Sequence, residues 1–285
     1  MLRKGTFILM KTKIQDMTSG SPGRLIILFA IPLMLGNICQ QLYTMVDTMV
    51  VGQVAGVEAL AALGAVDFLM WVVTGISTGL TQGFSIQLSQ YYGAKDFENL
   101  RKSLAHSYRL TAFIAIGVFI LSQSFASLVL TGLHTPSNII GMSLLYLRII
   151  FCGIPATAAY NMFASALRAM GNSKTPLTAM IIASVLNVSL DILFVAGFGW
   201  GVAGAAIATV IAQSFSAVYC FLILRRIDIV HLTRADFMPA SGMNARLMKL
   251  GIPVVFQNII IGVGGLVVLS LIHISEPTRL RCISY

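Results

Sequence analysis

Two carboxylates stand inside apolar stretches that have the length and composition of membrane-crossing helices: Asp47 within residues 25–51 and Asp191 within residues 176–198. A charged carboxylate near the bilayer centre costs about 2.5–3.5 kcal/mol on insertion scales, and such residues usually handle ions or protons in a water-filled path. A carboxylate near a span end can instead snorkel to water. That alternative bears more on Asp47, which few apolar residues follow, than on Asp191.

Polar residues at helical spacing accompany both acids. Gln40, Tyr43 and Asp47 are spaced i, i+3, i+7 and share one face of the first span, a face expected to meet a cavity rather than lipid. Asn187 and Asp191 are i, i+4 neighbours in the fifth span. With Thr209 midway along the sixth span, and Tyr146 and Asn161 in the fourth, they are candidates for a hydrogen-bonded cage around a proton-carrying carboxylate or a small cation. Each is weak alone, because Asn and Thr also simply pair helices in membranes. Two isolated buried charges cost more than two that share water and polar partners. Asp47 and Asp191 are therefore expected in one hydrated cavity, with Asn187 hydrogen-bonded beside Asp191. Pro32, in the first third of the first span, removes a helix hydrogen bond and is expected to bend it as a gating kink.

The elements that must position these residues are legible in the composition. The chain has 285 residues, 57% of them hydrophobic and 10% charged, with a mean hydropathy of +0.86. A soluble domain needs far more charge to cover its surface, so the chain reads as an all-α membrane protein. Seven stretches reach the roughly 20 residues needed to span: 25–51, 59–87, 108–130, 139–167, 176–198, 202–224 and 250–272.

The net charge of +9 is a topology signal. Basic residues precede the first span and populate every second loop, whereas loops 52–58, 131–138 and 199–201 carry no Lys or Arg. This positive-inside pattern places the amino terminus in the cytoplasm, and nucleic-acid binding has little support. Four cysteines show no metal-ligand or disulfide spacing.

Ile31-Pro32 through Asn37-Ile38 is echoed by Ile252-Pro253 through Asn258-Ile259, a long period that fits two parallel six-helix lobes. The expected organisation is a cytoplasmic segment 1–23, an amino-terminal lobe 24–225, an interlobe loop 226–245 and the first helix of a second lobe, 246–270. The polar string at 271–285 reads as a non-native tail. The carboxy-terminal lobe is then the missing partner.

Gly199, Gly201 and Gly204 form a formal GxGxxG. They lie between apolar spans rather than after a strand, so a tight turn and close helix packing explain them better than a nucleotide. His106, His134 and His231 are scattered and read as unpartnered, and for Asp67, in the outer half of the second span, a lining role stays open but unsupported by the pattern. No nucleophile–base pair, P-loop or metal motif appears, so the chain does not read as an enzyme and no cofactor is expected.

The stretches IPLMLGNICQQLYTMVDTMVVGQV, YNMFASALRAMGNSKTP (with Arg168, Gly171 and Pro176 in an Arg-x-x-Gly-x-x-x-x-Pro frame) and LNVSLDILFV resemble the multidrug and toxic compound extrusion family, in particular its DinF-like prokaryotic branch. The resemblance runs over about 23–270 and implies a twelve-helix antiporter of the prokaryotic cytoplasmic membrane. Such a protein expels organic, often cationic, drug-like compounds in exchange for H+ or Na+. It implies coupling-ion positions at Asp47, Asn161, Asn187, Asp191 and Thr209, with Na+ as the one metal ion in view, at Asp47 and Asp191. It also implies a bending proline at Pro32 and a lobe lining that includes Tyr43 and Tyr146, beside Gln40. Ala164 stands where the family has a further polar residue. Val268, the repeat equivalent of Asp47, carries no carboxylate. Two alternatives stay open: a lipid-linked oligosaccharide flippase of the same superfamily, which calls for a basic cavity, and a non-transporting membrane protein.

Overall fold

The computed structural model describes the backbone of residues 21–282 and the side chains of residues up to 264. The cytoplasmic segment expected over 1–23 therefore lies almost wholly outside the described residues, as do the side chains of Val268 and of the polar tail. The described chain is helical throughout. Its helices are α1 (Pro22–Val54), α2 (Val57–Gly93), α3 (Phe97–Gly132), α4 (Ile140–Cys152), α5 (Ile154–Ala169), α6 (Lys174–Asp191), α7 (Gly201–Leu224) and α8 (Met243–Cys282). Six of these are long and apolar enough to cross a membrane, or seven spans with α4 and α5 taken as one. In hydrocarbon every backbone polar group must be satisfied within the segment, and an α-helix does this. The chain is thus a multi-pass, all-α membrane protein.

The fourth span departs from the single helix that hydropathy suggests. It bends by 46° between α4 and α5. Gly153 bonds its N–H to the Ile150 carbonyl at 2.8 Å, three residues back, and Pro155 falls in the first turn of α5, where a missing N–H costs nothing. A Cβ on Gly153 would lie 2.7 Å from Val210 Cγ2 on α7, so the break also lets α7 approach. By contrast, α1 is helical from end to end through Pro32. The fifth span also changes character. Immediately after Asp191 it widens into a π-helical turn, Ile192–Gly197, of the kind often found at functional sites.

The Arg-x-x-Gly-x-x-x-x-Pro stretch is a helix corner. Gly171 adopts φ +80° and the Asn172 N–H returns to the Leu167 carbonyl at 2.9 Å, closing α5 in the left-handed geometry that favours glycine. The Asn172 side chain then accepts from Thr175 N at 3.0 Å, and Pro176 sits in the opening turn of α6.

α8 lies along α2. Gly79 and Gly83 are one turn apart on α2; a Cβ on Gly79 would come within 2.7 Å of Val255 Cα, and one on Gly83 would run into Gly251. Small residues at i and i+4 let two membrane helices meet backbone to backbone. Between α7 and α8, the short 3₁₀ turns Asp228–Val230 and Arg234–Phe237 are fastened to α3. Arg109 Nη1 donates to the Phe237 carbonyl at 3.3 Å. His106, expected to lack partners, is buried between the Met238 carbonyl (3.1 Å) and Asn244 Oδ1 (2.7 Å). Arg109 Nη2 also lies 3.2 Å from His106 Nδ1; the other two partners lie more than 130 residues away in sequence, beyond what the local pattern shows.

Apolar side chains collect in two clusters, one around Phe84, Leu104 and Leu167 and the other around Val66, Leu147 and Phe151. On α1, Tyr43 packs on the first and Val51 belongs to the second; on α6 and its π turn the same holds of Ala179 and Val195, and on α7 of Ala217 and Ala205. Asp47, Asn187, Asp191 and Thr209 fall in the gap between.

Candidate functional site

α1 and α2 present the walls of a cavity of about 540 Å³ in this gap. Tyr43 and Asp47 line it from α1, Asp67 from α2, Tyr146 from α4 and Thr209 from α7. Its volume is that of a drug-sized ligand site. Asp47 is 6% exposed, and its Oδ1 is buried without a hydrogen-bond partner. Asp191 is fully buried, and neither of its oxygens has a partner. The two carboxylates lie close enough for their charges to act on each other, and the phenol of Tyr146 is within electrostatic reach of both. Asp47 opens on the cavity and Asp191 sits behind it.

Asn187 is 1% exposed. Its Nδ2 donates to Thr209 Oγ1 at 3.4 Å, and its Oδ1 is buried and unpaired. The hydrogen bond expected beside Asp191 thus reaches across to α7 rather than along α6. Four acceptor oxygens without donors, from Asp47, Asn187 and Asp191, are gathered in one apolar interior. Buried acceptors of this kind are costly unless a proton, a cation or water satisfies them. Gln213, one turn beyond Thr209, donates to the hydroxyl of the lining residue Tyr43 at 3.5 Å.

Asn161 and Gln40 are placed elsewhere. They line a second, more polar cavity of about 330 Å³ beside Pro32 and Arg168. There Asn161 Nδ2 donates to Thr78 Oγ1 at 3.1 Å, and Arg168 Nη2 donates to Ser165 Oγ at 3.1 Å. The face shared by Gln40, Tyr43 and Asp47 on α1 therefore serves two neighbouring cavities.

Two residues at the site lacked support from the sequence pattern: Asp67, which lines the cavity, and Gln213, which bonds to a lining residue. Gln213 continues the i, i+4 series from Thr209 and could have been found that way. Asp67 follows Leu60, Leu63 and Gly64 at i, i+3, i+4 and i+7, and all four line the same cavity; nothing in α2 alone marks that face as the inner one.

A family model described as MatE matches residues 32–193. The chain is 31% identical over 261 residues to the probable multidrug resistance protein YpnP of Bacillus subtilis, covering 92% of this chain and 58% of that protein. It is 23% identical to the multidrug export protein MepA of Staphylococcus aureus, over 84% of this chain and 53% of the other. A solved outward-facing multidrug resistance transporter of the MOP superfamily superposes with a TM-score of 0.81 at 26% identity, covering 87% of this chain and 55% of that one. The chain spans a little over half the length of the relatives it matches.

Proposed function

The chain belongs to the MatE family, and on that premise we propose that it supplies the amino-terminal lobe, and in α8 the first helix of a second lobe, of a secondary active multidrug antiporter. The protein exports organic, often cationic, compounds in exchange for H+ or Na+. It is a carrier in a prokaryotic cytoplasmic membrane with its amino terminus inside, and it catalyses no covalent chemistry. The observation that carries this reading is Asp191, fully buried with both oxygens unpaired and within electrostatic reach of Asp47.

A carboxylate so placed is stable when something neutralises it. A proton on Asp191, or Na+ held among Asp191, Asp47 and the Asn187 and Thr209 oxygens, does so. Asp47 faces both the ion and the cavity, so a cationic substrate there competes with the coupling ion for one negative charge. That competition is antiport: the ion's arrival on one side releases the drug, and its departure on the other restores the charge that binds the next. The helical α1, with Pro32 at the second cavity, is the element that moves.

The test is Asp191→Asn in a two-lobe protein carrying this lobe. Asn keeps the shape and removes both charge and titratable proton. Drug resistance should fall to the level of cells without the transporter at matched membrane abundance. Resistance equal to the parent would overturn the coupling role. A second reading, an anionic lipid-linked cargo, is favoured only by the cavity at Arg168, whose guanidinium has a neutral partner in Ser165.

A further inference from the structure

Resting on the reading above, we propose that Asp67 is a specificity-determining residue that favours substrates bearing two separated positive charges joined by an apolar or aromatic spacer.

Asp67 lies in the membrane-spanning part of α2, yet its side chain is exposed to the cavity and has no hydrogen bond or ion pair among the described residues. The α2 wall from Leu60 through Leu63 and Gly64 to Asp67 is one continuous helical face, about 10 Å long at 1.5 Å per residue. Asp47 stands on the opposite wall, nine-tenths buried and unpaired. Tyr146 lies within reach of both carboxylates. The cavity therefore offers two anionic points on different helices. Between them lie aliphatic surface from Leu60, Leu63 and Met70 and the phenol rings of Tyr43 and Tyr146.

The two acids have different work. Asp47 lies beside Asp191 and belongs to the ion site; Asp67 lines the same cavity from α2. A monocation satisfies Asp47 and leaves Asp67 as a solvated charge at the cavity wall. A dication satisfies both, while its spacer lies on the aliphatic and aromatic lining, where cation–π contact adds to the attraction. Selectivity between such ligands is a difference of affinities set by the added anchor.

Ethidium and propidium test this directly. They share a phenanthridinium ring, and propidium adds a quaternary ammonium on a propyl arm. The 285-residue chain is reconstituted in lipid nanodiscs and dye binding is read by fluorescence, with empty nanodiscs subtracted. The parent should bind propidium about tenfold or more tightly than ethidium, the effect of one modest additional contact. Asp67→Asn should bring the ratio near one by weakening propidium far more than ethidium; Asp67→Glu should keep the preference. Asp47→Asn should weaken both dyes. A propidium preference that survives Asp67→Asn, with ethidium binding still sensitive to Asp47→Asn, overturns the role of Asp67 and leaves the cation-binding cavity standing. Failure of either dye to bind the parent overturns both.

Discussion

In the loop before α8, Asp236 accepts from the Thr233 N–H at 2.7 Å and from its hydroxyl at 2.8 Å, with Arg101 Nε at 3.9 Å. At the end of α6, where the π turn begins, Asp191 is also buried and has no partner on either oxygen. Asp96 resembles Asp236: it caps α3, accepting from Asn99 N at 3.1 Å and Asn99 Nδ2 at 2.7 Å. These two carboxylates outside the membrane are tied into a turn and a cap, whereas Asp191 within it is left open. The same chemical group is thus a fixed part of the structure in one region and an exchangeable charge in the other, and what separates the two is whether a donor from the chain is already in place.

The largest effect on stability should come from removing a tied carboxylate. Asp236→Ala leaves the Thr233 N–H and the Arg101 guanidinium without their acceptor, a loss of about 1–3 kcal/mol for a hydrogen-bonded charge. Hydrogen exchange over residues 228–237 should report this as local opening, while drug efflux by the two-lobe protein is retained. Acid should mimic the change. Burial works against the Asp236 charge, but the Thr233 N–H and hydroxyl, then Arg101 and Lys102, outweigh it and hold the carboxyl below its ordinary value. Its contribution is therefore complete above the unfolded value, near 4, and is lost as pH falls through the lower folded value. Protection of the loop should be flat from pH 8 to 5 and fall below about 4. Loss of protection already at pH 6 would break the comparison.

The opposite sign is expected inside. Asp191→Asn removes an unpaired buried charge, so the melting temperature in nanodiscs should be unchanged or higher, by a free energy of up to about 1 kcal/mol. A clear drop would mean that Asp191 is held by a partner after all. The smallest effect belongs to Asp96→Asn. Asn and Asp are near-equal helix caps, so stability should stay within about 0.5 kcal/mol of the parent; a larger loss would give the charge itself, and not the cap, the structural role.

These contrasts mark what a single sequence discloses. The spans were legible because hydrocarbon forces each crossing segment into an apolar helix. Asn187, Asp191 and Thr209 were legible as polar residues where polarity is costly; Asn187 bonds to Thr209 on α7, whereas Asp191 has no partner and lies off the cavity lining. The break at Gly153 was not, because a hydropathy average runs smoothly across it. The separation of Asn161 and Gln40 from Asp191, and the inward turn of Asp67, depend on how each helix is rotated against its neighbours. That rotation is set by contacts such as Gly79 with Val255 and Gly153 with Val210, which join residues far apart in the chain. His106 escaped for the same reason.

The seam between α2 and α8 has a consequence for biosynthesis. Gly83 leaves the ribosome about 170 residues before Gly251, an interval of roughly 8–34 s at 5–20 residues per second. Through that time the glycine groove of α2 is without the helix that fills it, and lipid or a neighbouring chain has access to the bare backbone. The amino-terminal helices therefore complete their own packing only after translation has passed into the segment that follows the loop. Insertion of the first part of the protein and synthesis of the next are in this way a single event, and a stall between Leu224 and Met243 would leave in the membrane a bundle with one open side.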